Sequence, residues 1–316
     1  MSARPGDAAD RKRRATHTSA FGTTKRESHD ASGFYTRFTP PLVSEDEEVE
    51  RTAVDRIHHG DARDMTEVAT NSVALVVTSP PYFVGKEYEQ ALGTGDVPGS
   101  YLDYLQLLRD VFAECRRVLE PGGRICVNVA NLGRKPYRSL SADVIRILQD
   151  DLGLLMRGEV IWLKAEGASG SCAWGSYRSA SNPVLRDVTE RILIASKGRF
   201  DRALSERGKQ RRKAEGLPWE DDIDAEEFAA ATLDVWKIRP ESARRVGHPA
   251  PFPVELPERC IRLYTYRGDV VLDPFIGSGT TAVAALRTGR HYLGYDTDLE
   301  YVALAEKRIA GERHSV

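Results

Sequence analysis

The 316-residue sequence predicts an α/β fold built on one mainly parallel sheet, and three observations predict it. Short apolar runs rich in Val, Ile and Leu alternate with longer stretches whose apolar residues recur every three or four positions, the pattern of strands joined by crossover helices. A Gly-rich turn, Asp273-Pro274-Phe275-Ile276-Gly277-Ser278-Gly279-Thr280-Thr281, leaves one short run and opens a helical stretch. A second sharp turn, Ser79-Pro80-Pro81-Tyr82, closes another run, and its two prolines fix the backbone in an extended, rigid path.

The elements follow in order along the chain. Residues 1–50 read as a disordered polar tail: they carry the basic run Arg11-Lys12-Arg13-Arg14, few apolar anchors and the acidic stretch Glu45-Asp46-Glu47-Glu48. Strands are expected over Asp55–His59, Ala74–Thr78, Arg124–Ala130, Glu159–Lys164, Arg191–Ser196, Asp269–Asp273 and His291–Tyr295, seven in one sheet. Helical periodicity covers Tyr101–Leu119, Leu140–Leu152, Val254–Tyr264, Thr280–Thr288 and Leu299–Ile309, with Pro121-Gly122-Gly123 ending the first. Residues 51–198 and 246–316 form the two parts of one domain. Between them, residues 199–245 turn charged, with Arg207, Lys209, Arg211, Arg212 and Lys213, and read as an insertion on the edge of the fold.

Composition removes several function classes. A chain of this length buries a core too large for a disulfide scaffold. The four cysteines, Cys115, Cys126, Cys172 and Cys260, show no CxxC spacing, which points to reduced thiols in a cytoplasm and predicts no metal site. No apolar run reaches the roughly 18 residues that a membrane span needs. With 45 Lys+Arg against 47 Asp+Glu the net charge is -2, so any nucleic-acid surface must come from local clustering.

Two stretches carry chemistry. In the Gly-rich turn, small residues after a strand let a ligand approach the backbone. No Lys follows the second glycine and the spacing is not G-x-G-x-x-G, which argues against a P-loop and a dinucleotide fingerprint; on its own the turn leaves the ligand open. Leu293-Gly294-Tyr295-Asp296 then puts an acid at the next strand tip, where a carboxylate can accept both hydroxyls of a ribose, while Asp298 suits the cap of the following helix. Ser79-Pro80-Pro81-Tyr82 suits methylation of an amino group conjugated with a base. Hydrogen bonds accepted by the Ser79 hydroxyl and the Pro80 carbonyl localise the nitrogen lone pair, and Tyr82 offers a face on which an extruded base can stack.

Together, these two motifs resemble the DNA amino-methyltransferases of bacterial restriction-modification systems, in the permuted β-class order that places the catalytic turn before the cofactor loop. The resemblance spans roughly Val54 to Ile309. It implies a Rossmann-like S-adenosylmethionine-dependent methyltransferase fold, a sheet ordered 3-2-1-4-5-7-6 in the family's numbering with the last strand antiparallel, and double-stranded DNA as substrate. Ser79, Pro80, Pro81 and Tyr82 would be catalytic. Asp61, in His58-His59-Gly60-Asp61, together with Asp273, Phe275, Gly277, Gly279, Thr280 and Asp296, would hold S-adenosylmethionine. His248-Pro249-Ala250-Pro251-Phe252-Pro253 is similar to the segment that closes over the methionine end, with Phe252 where many members have Lys. Trp162 and Lys164 would border the target base, ahead of a loop containing Trp174 and Asn182-Pro183.

In this family a Ser before Pro-Pro is associated with the N4 of cytosine, and Asp or Asn with the N6 of adenine. N4-cytosine is therefore the favoured target and N6-adenine the alternative. Methylation at carbon 5 needs a cysteine nucleophile, and no Pro-Cys pair occurs. Recognition is expected from residues 199–245, with Arg211 and Arg212 as DNA contacts, while residues 84–99, with Lys86, would clamp the flipped base. Two rivals are an inactive DNA-binding relative, which would show a damaged motif, and an RNA or protein methyltransferase, which would carry Asn or Asp before the prolines. A partner restriction endonuclease is a further expectation.

Overall fold

The computed structural model describes residues 41–81, 100–131, 137–164, 175–202, 206–241 and 252–313, with the side chains of residues 206–208 and 211 outside that description. Among the described residues eight strands form one sheet: β1 (Arg56–His59), β2 (Val73–Thr78), β3 (Leu119–Val129), β4 (Leu155–Leu163), β5 (Thr189–Ser196), β6 (Val235–Lys237), β7 (Val270–Asp273) and β8 (His291–Asp296). Their spatial order is β1-β8-β7-β2-β3-β5-β4-β6. In the family's numbering the first seven of these positions read 3-2-1-4-5-7-6, the order expected. Strand β5 is the antiparallel one, and it lies inside the sheet between β3 and β4.

The strand count corrects the sequence reading. The eighth strand, β6, has three residues inside the charged insertion, too short for a period to register. It pairs in parallel with β4, and its Trp236 is fully buried with its indole N–H donated to the Ala231 carbonyl at 3.1 Å.

Period-two alternation divides the sheet between two apolar layers. Ile125, Val127, Val129, Leu193, Ala195, Leu272 and Leu293 face one side, against Leu108, Val111, Phe112 and Cys115 of α1 (Tyr101–Val118) and Val144 of α2 (Leu140–Arg146). Leu75, Val77, Cys126, Ile192, Ile194 and Val271 face the other, against α5 (Glu255–Tyr264), α6 (Thr280–Arg287) and α7 (Leu299–Arg313). Both faces are covered, which is why the central strands read as near-continuous apolar runs. Helix α2 runs on through a π turn at Ile147–Asp151.

Helix α1 starts on Ser100, whose side chain accepts the Asp103 N–H, and passes directly into β3. Pro121-Gly122-Gly123 therefore lies inside the first part of that strand, where the pairing with β2 shifts register. Gly122 has φ 78°, and a Cβ there would lie 2.0 Å from the Asp201 carbonyl oxygen, so no other residue fits.

Residues 41–50, expected to belong to a disordered tail, have no regular secondary structure but are tied to the fold by backbone hydrogen bonds. Leu42, Ser44 and Glu50 donate their backbone N–H groups to Gly153, Gly198 and Asn71 at 2.8–3.0 Å. The apolar Leu42 side chain is close enough to Gly153 that a Cβ there would meet it at 2.7 Å, a packing contact hidden in a polar segment. The rest of the expected tail, residues 1–40, lies outside the described residues.

The inserted segment first runs along the amino edge of the parallel strands, with α3 (Glu206–Ala214) and α4 (Ala225–Ala231), and β6 then carries it to the carboxyl edge, where Lys237 pairs with Leu163. Arg202 and Arg212 meet Glu120 at the start of β3 and Asp269 just before β7, and all four side chains are at most 5% exposed. Asp222 accepts both terminal nitrogens of Arg290, which precedes β8, at 2.5 and 2.7 Å. Among the described residues no helix is long and apolar enough to cross a membrane.

Candidate active site

Parallel pairing brings the carboxyl ends of β1, β8, β7, β2 and β3 to one edge, and these end at His59, Asp296, Asp273, Thr78 and Val129. Because β5 is antiparallel, its first residues, Thr189 and Glu190, arrive at the same edge. Both motifs found in the sequence thus converge there, at the strand ends where open α/β sheets bind ligands.

Asp273 joins them. Its carboxylate accepts the Thr78 hydroxyl at 2.6 Å, the Thr281 hydroxyl at 2.6 Å and the Phe275 N–H at 3.1 Å. Thr78 immediately precedes Ser79, so one buried carboxylate ties the catalytic turn to the Gly-rich turn. Expected as a cofactor ligand, Asp273 is 1% exposed, and its carboxylate oxygens accept from groups in both turns. Burial pushes its carboxyl up to about 6, against the opposing pull of the Thr281 and Thr78 hydroxyls. A folded pKa above the unfolded one makes Asp273 contribute stability that is complete below about pH 4 and is lost as pH rises through about 6. In urea unfolding at pH 4 and pH 6.5, Asp273→Asn is expected to remove that component, which is about 3 kcal/mol by linkage.

The Gly-rich turn is shaped for close approach. Gly277 and Gly279 have φ of 48° and 80°, and a Cβ on Gly279 would meet Ala305 of α7 at 3.0 Å. Asp296 lies across from it, accepting the Gly277 N–H at 2.9 Å and the Asp298 N–H at 3.0 Å. Burial raises its pKa, while those two backbone bonds act in the other direction. A carboxylate holding two N–H groups keeps acceptor capacity for hydroxyl groups in the crevice. Asp61, just beyond β1, accepts the Arg63 backbone N–H at 2.8 Å and its guanidinium at 2.5 Å. Partial burial works to raise its pKa, but those bonds prevail and hold it below the usual range. The Thr280 hydroxyl accepts from Arg308 at 2.9 Å and is buried, so that side chain braces the turn. Phe275 and Phe252 are both partly buried, each packed against one of the two core layers.

On the catalytic side the structure adds residues that sequence reasoning missed. The Asn128 amide donates to Ser79 Oγ at 3.4 Å and to Glu190 Oε2 at 2.6 Å. Glu190 Oε1 in turn receives Lys164 Nζ at 2.9 Å. A chain of contacts thus runs from Ser79 through Asn128 and Glu190 to Lys164, which links the residue expected at the target base to the catalytic turn. For Asn128 the signal was present, a polar residue in the otherwise apolar run Ile125–Ala130, and such residues are buried only with partners; Glu190, flanked by Thr189 and Arg191, gave none.

Other expected residues fall elsewhere. Trp162, expected beside the base, is 2% exposed in the core and donates its indole N–H to the Ile238 carbonyl at 2.8 Å. Its side of the β4 strand is the packed one. Arg212, expected on DNA, is buried in the cluster at the opposite edge, and Arg211 belongs to the same helix, α3. Tyr82, Lys86, Trp174 and His248 lie outside the described residues. Cys115, Cys126 and Cys260 are buried, and burial raises the first two thiols well above their usual range.

A DNA methylase family model, that of the N6 and N4 enzymes, matches residues 73–307. The chain belongs to this DNA methylase family. Among curated relatives, the type II methyltransferase M.MjaI of Methanocaldococcus jannaschii is 29% identical over 83% of this chain and 93% of its own. M.MthZI of Methanothermobacter thermautotrophicus is 30% identical over 80% of this chain and 76% of its own. The solved structure of TTHA0409 of Thermus thermophilus, complexed with S-adenosyl-L-methionine, is 31% identical with a TM-score of 0.62, covering 82% of this chain and 94% of that one. PvuII DNA methyltransferase, described as cytosine-N4-specific, shares the fold at 20% identity and a TM-score of 0.60, over 87% of this chain and 94% of its own. As a DNA methylase, the chain modifies DNA at an amino nitrogen of the N6 or N4 class.

Proposed function

We propose that this methylase transfers a methyl group from S-adenosylmethionine to the exocyclic N4 of cytosine in double-stranded DNA. The observation that carries the reading is Ser79 as the first residue of the catalytic turn, with its hydroxyl held by Asn128. When bound, S-adenosylmethionine supplies an electrophilic methyl group. The positive-φ glycines and the Asp296 and Asp61 carboxylates at one crevice fit that cofactor, Asp296 toward the ribose hydroxyls and Asp61 toward the adenine end.

Ser79 Oγ has two acceptor positions and one proton. Ser79 Oγ, oriented by the Asn128 amide, accepts an N4–H of the flipped base, and the Pro80 carbonyl accepts the second. These bonds pull the amino nitrogen toward tetrahedral geometry and free its lone pair for direct in-line attack, with no covalent adduct to the ring. A neutral hydroxyl is a weaker acceptor than a carboxylate or amide oxygen, and it suits the cytosine amino group. The burial of the described cysteines agrees with transfer to nitrogen. Protection of DNA from a partner restriction endonuclease is the corresponding biological role.

Incubation with tritiated S-adenosylmethionine and amplified bacterial DNA, then digestion to nucleosides, tests the assignment. Label in 4-methylcytosine is expected; label in 6-methyladenine would move the target to adenine, and label only in RNA or protein would remove DNA as substrate. Asp296→Ala is expected to weaken S-adenosylmethionine binding about tenfold to a hundredfold in calorimetric titration, the cost of losing charge-assisted hydrogen bonds.

A further inference from the structure

The inserted segment was the expected DNA-reading element, but Arg199, Arg202 and Arg212 in it are committed to the protein. Arg199 meets Glu47, Arg202 and Arg212 are buried against Glu120 and Asp269, and Arg262 faces Asp222 and Glu227 from α5. These contacts lie along the amino edge of the parallel strands, opposite Ser79.

A different segment stands at the catalytic edge. Between β4 and β5 the described residues 175–187 lead back into the sheet beside the site, where Leu163 pairs with Thr189 and Lys164 donates its N–H to Val188 at 2.9 Å. The root of this loop is the same Lys164–Glu190 pair that reaches Ser79 through Asn128. Its backbone is built rather than loose. Ser176 N donates to the Asn182 carbonyl at 2.9 Å, Asn182 N to Ser176 Oγ at 2.8 Å, and Ser176 Oγ to the Ser179 carbonyl at 2.7 Å. Gly175 has φ 64°, where a Cβ would strike the Asn182 carbonyl oxygen at 2.1 Å.

What the loop displays is basic and apolar. From Gly175 to Asp187 it carries two arginines, Arg178 and Arg186, against one acid, Asp187 at its base, in a chain whose net charge is -2. Arg178 sits at the tip with φ 54°, a backbone region that a non-glycine side chain adopts at a cost. Tyr177 is 69% exposed and Leu185 93% exposed, in the segment that leads into β5 at the catalytic edge. Exposed large apolar groups beside a cation, at an edge where a polyanion docks, match the make-up of elements that hold a backbone phosphate and lie against the groove.

We propose that residues 175–187 form a DNA-gripping arm, with Arg178 on a backbone phosphate next to the target base and Tyr177 and Leu185 against the duplex. The proposal rests on the DNA-methylating reading but not on the choice of base. Its mechanical sense is that the arm and Ser79 share one root, so docking of the duplex and placement of the flipped base are fixed by the same Glu190–Asn128 contacts.

The test measures kcat/KM for amplified bacterial DNA against KCl concentration, with tritiated S-adenosylmethionine. Arg178→Ala is expected to raise the KM for DNA severalfold and to reduce the slope of the log–log salt plot by about 1, as loss of one phosphate contact does. S-adenosylmethionine binding should be unchanged, and Arg178→Lys should restore the slope. Lys213→Ala, on α3 at the other edge, should leave slope and KM alone. If Arg178→Ala should fail to fold, Arg178→Asn, which tolerates left-handed backbone, carries the same expectation. An unchanged slope and KM in the Arg178 variants, or a slope change in Lys213→Ala alone, would overturn the arm. Failure of the unaltered protein to label any DNA would instead remove the reading on which the arm rests.

Discussion

Ser79→Ala is expected to lower the rate of DNA methylation about a hundredfold to a thousandfold, the range found when one preorganised hydrogen-bonding group at a reacting centre is removed. The substitution deletes the acceptor that shapes the target nitrogen, while Thr78 keeps its 2.6 Å bond to Asp273 and the Gly-rich turn keeps its geometry. The affinity for S-adenosylmethionine should therefore change little. Single-turnover rates with saturating DNA, together with calorimetric titration of the cofactor, separate the two effects. Comparable losses in both would place Ser79 in the scaffold of the cofactor turn.

The second large effect concerns stability. Arg212→Met is expected to lower the free energy of unfolding by about 3–5 kcal/mol, because it leaves Glu120 and Asp269 buried against a single guanidinium. The pairs replace water around both acids, and a thioether cannot. Urea unfolding checks the magnitude. In the fraction that remains folded, the salt dependence of methylation should equal that of the unaltered protein. A lost salt slope with unchanged stability would return Arg212 to the DNA surface.

Both turns were legible in the sequence because each is local. Ser79-Pro80-Pro81 and Gly277-Ser278-Gly279 impose backbone paths through prolines and glycines, and such constraints need no distant partner. The strand order came from the family resemblance, and the central strands announced themselves as apolar runs covered on both faces. What could not be read was the set of contacts made across the chain. Asn128 and Glu190 stand 62 positions apart, and Glu120 and Arg212 stand 92 apart. Nothing near Arg212 distinguishes it from its solvated neighbours in a charged helix, so clustering of charge suggested DNA where the fold supplied buried acids. Trp162 was read as bordering the base because the family resemblance places its strand there, yet alternation along β4 turns it into the core. The three-residue strand β6 escaped for the related reason that its only strong signal, Trp236, is a single residue.

The arrangement also explains a division of labour along the sheet. The amino edge holds the ion cluster and the ordered segment 41–50, and its contacts fix the strands in place. The carboxyl edge carries the half-buried Asp296 and Asp61 and the arm. Asp273 connects stability to chemistry, since the contacts that bury it are those that align the two turns.

The most direct test of amino-group methylation at this edge is mass spectrometry of nucleosides from the genomic DNA of a bacterium expressing either the unaltered chain or Ser79→Ala. Accumulation of 4-methylcytosine with the unaltered chain, and its loss with Ser79→Ala, is the predicted result. Equal methylation by both proteins, or methyl groups on carbon 5 of cytosine, would contradict it.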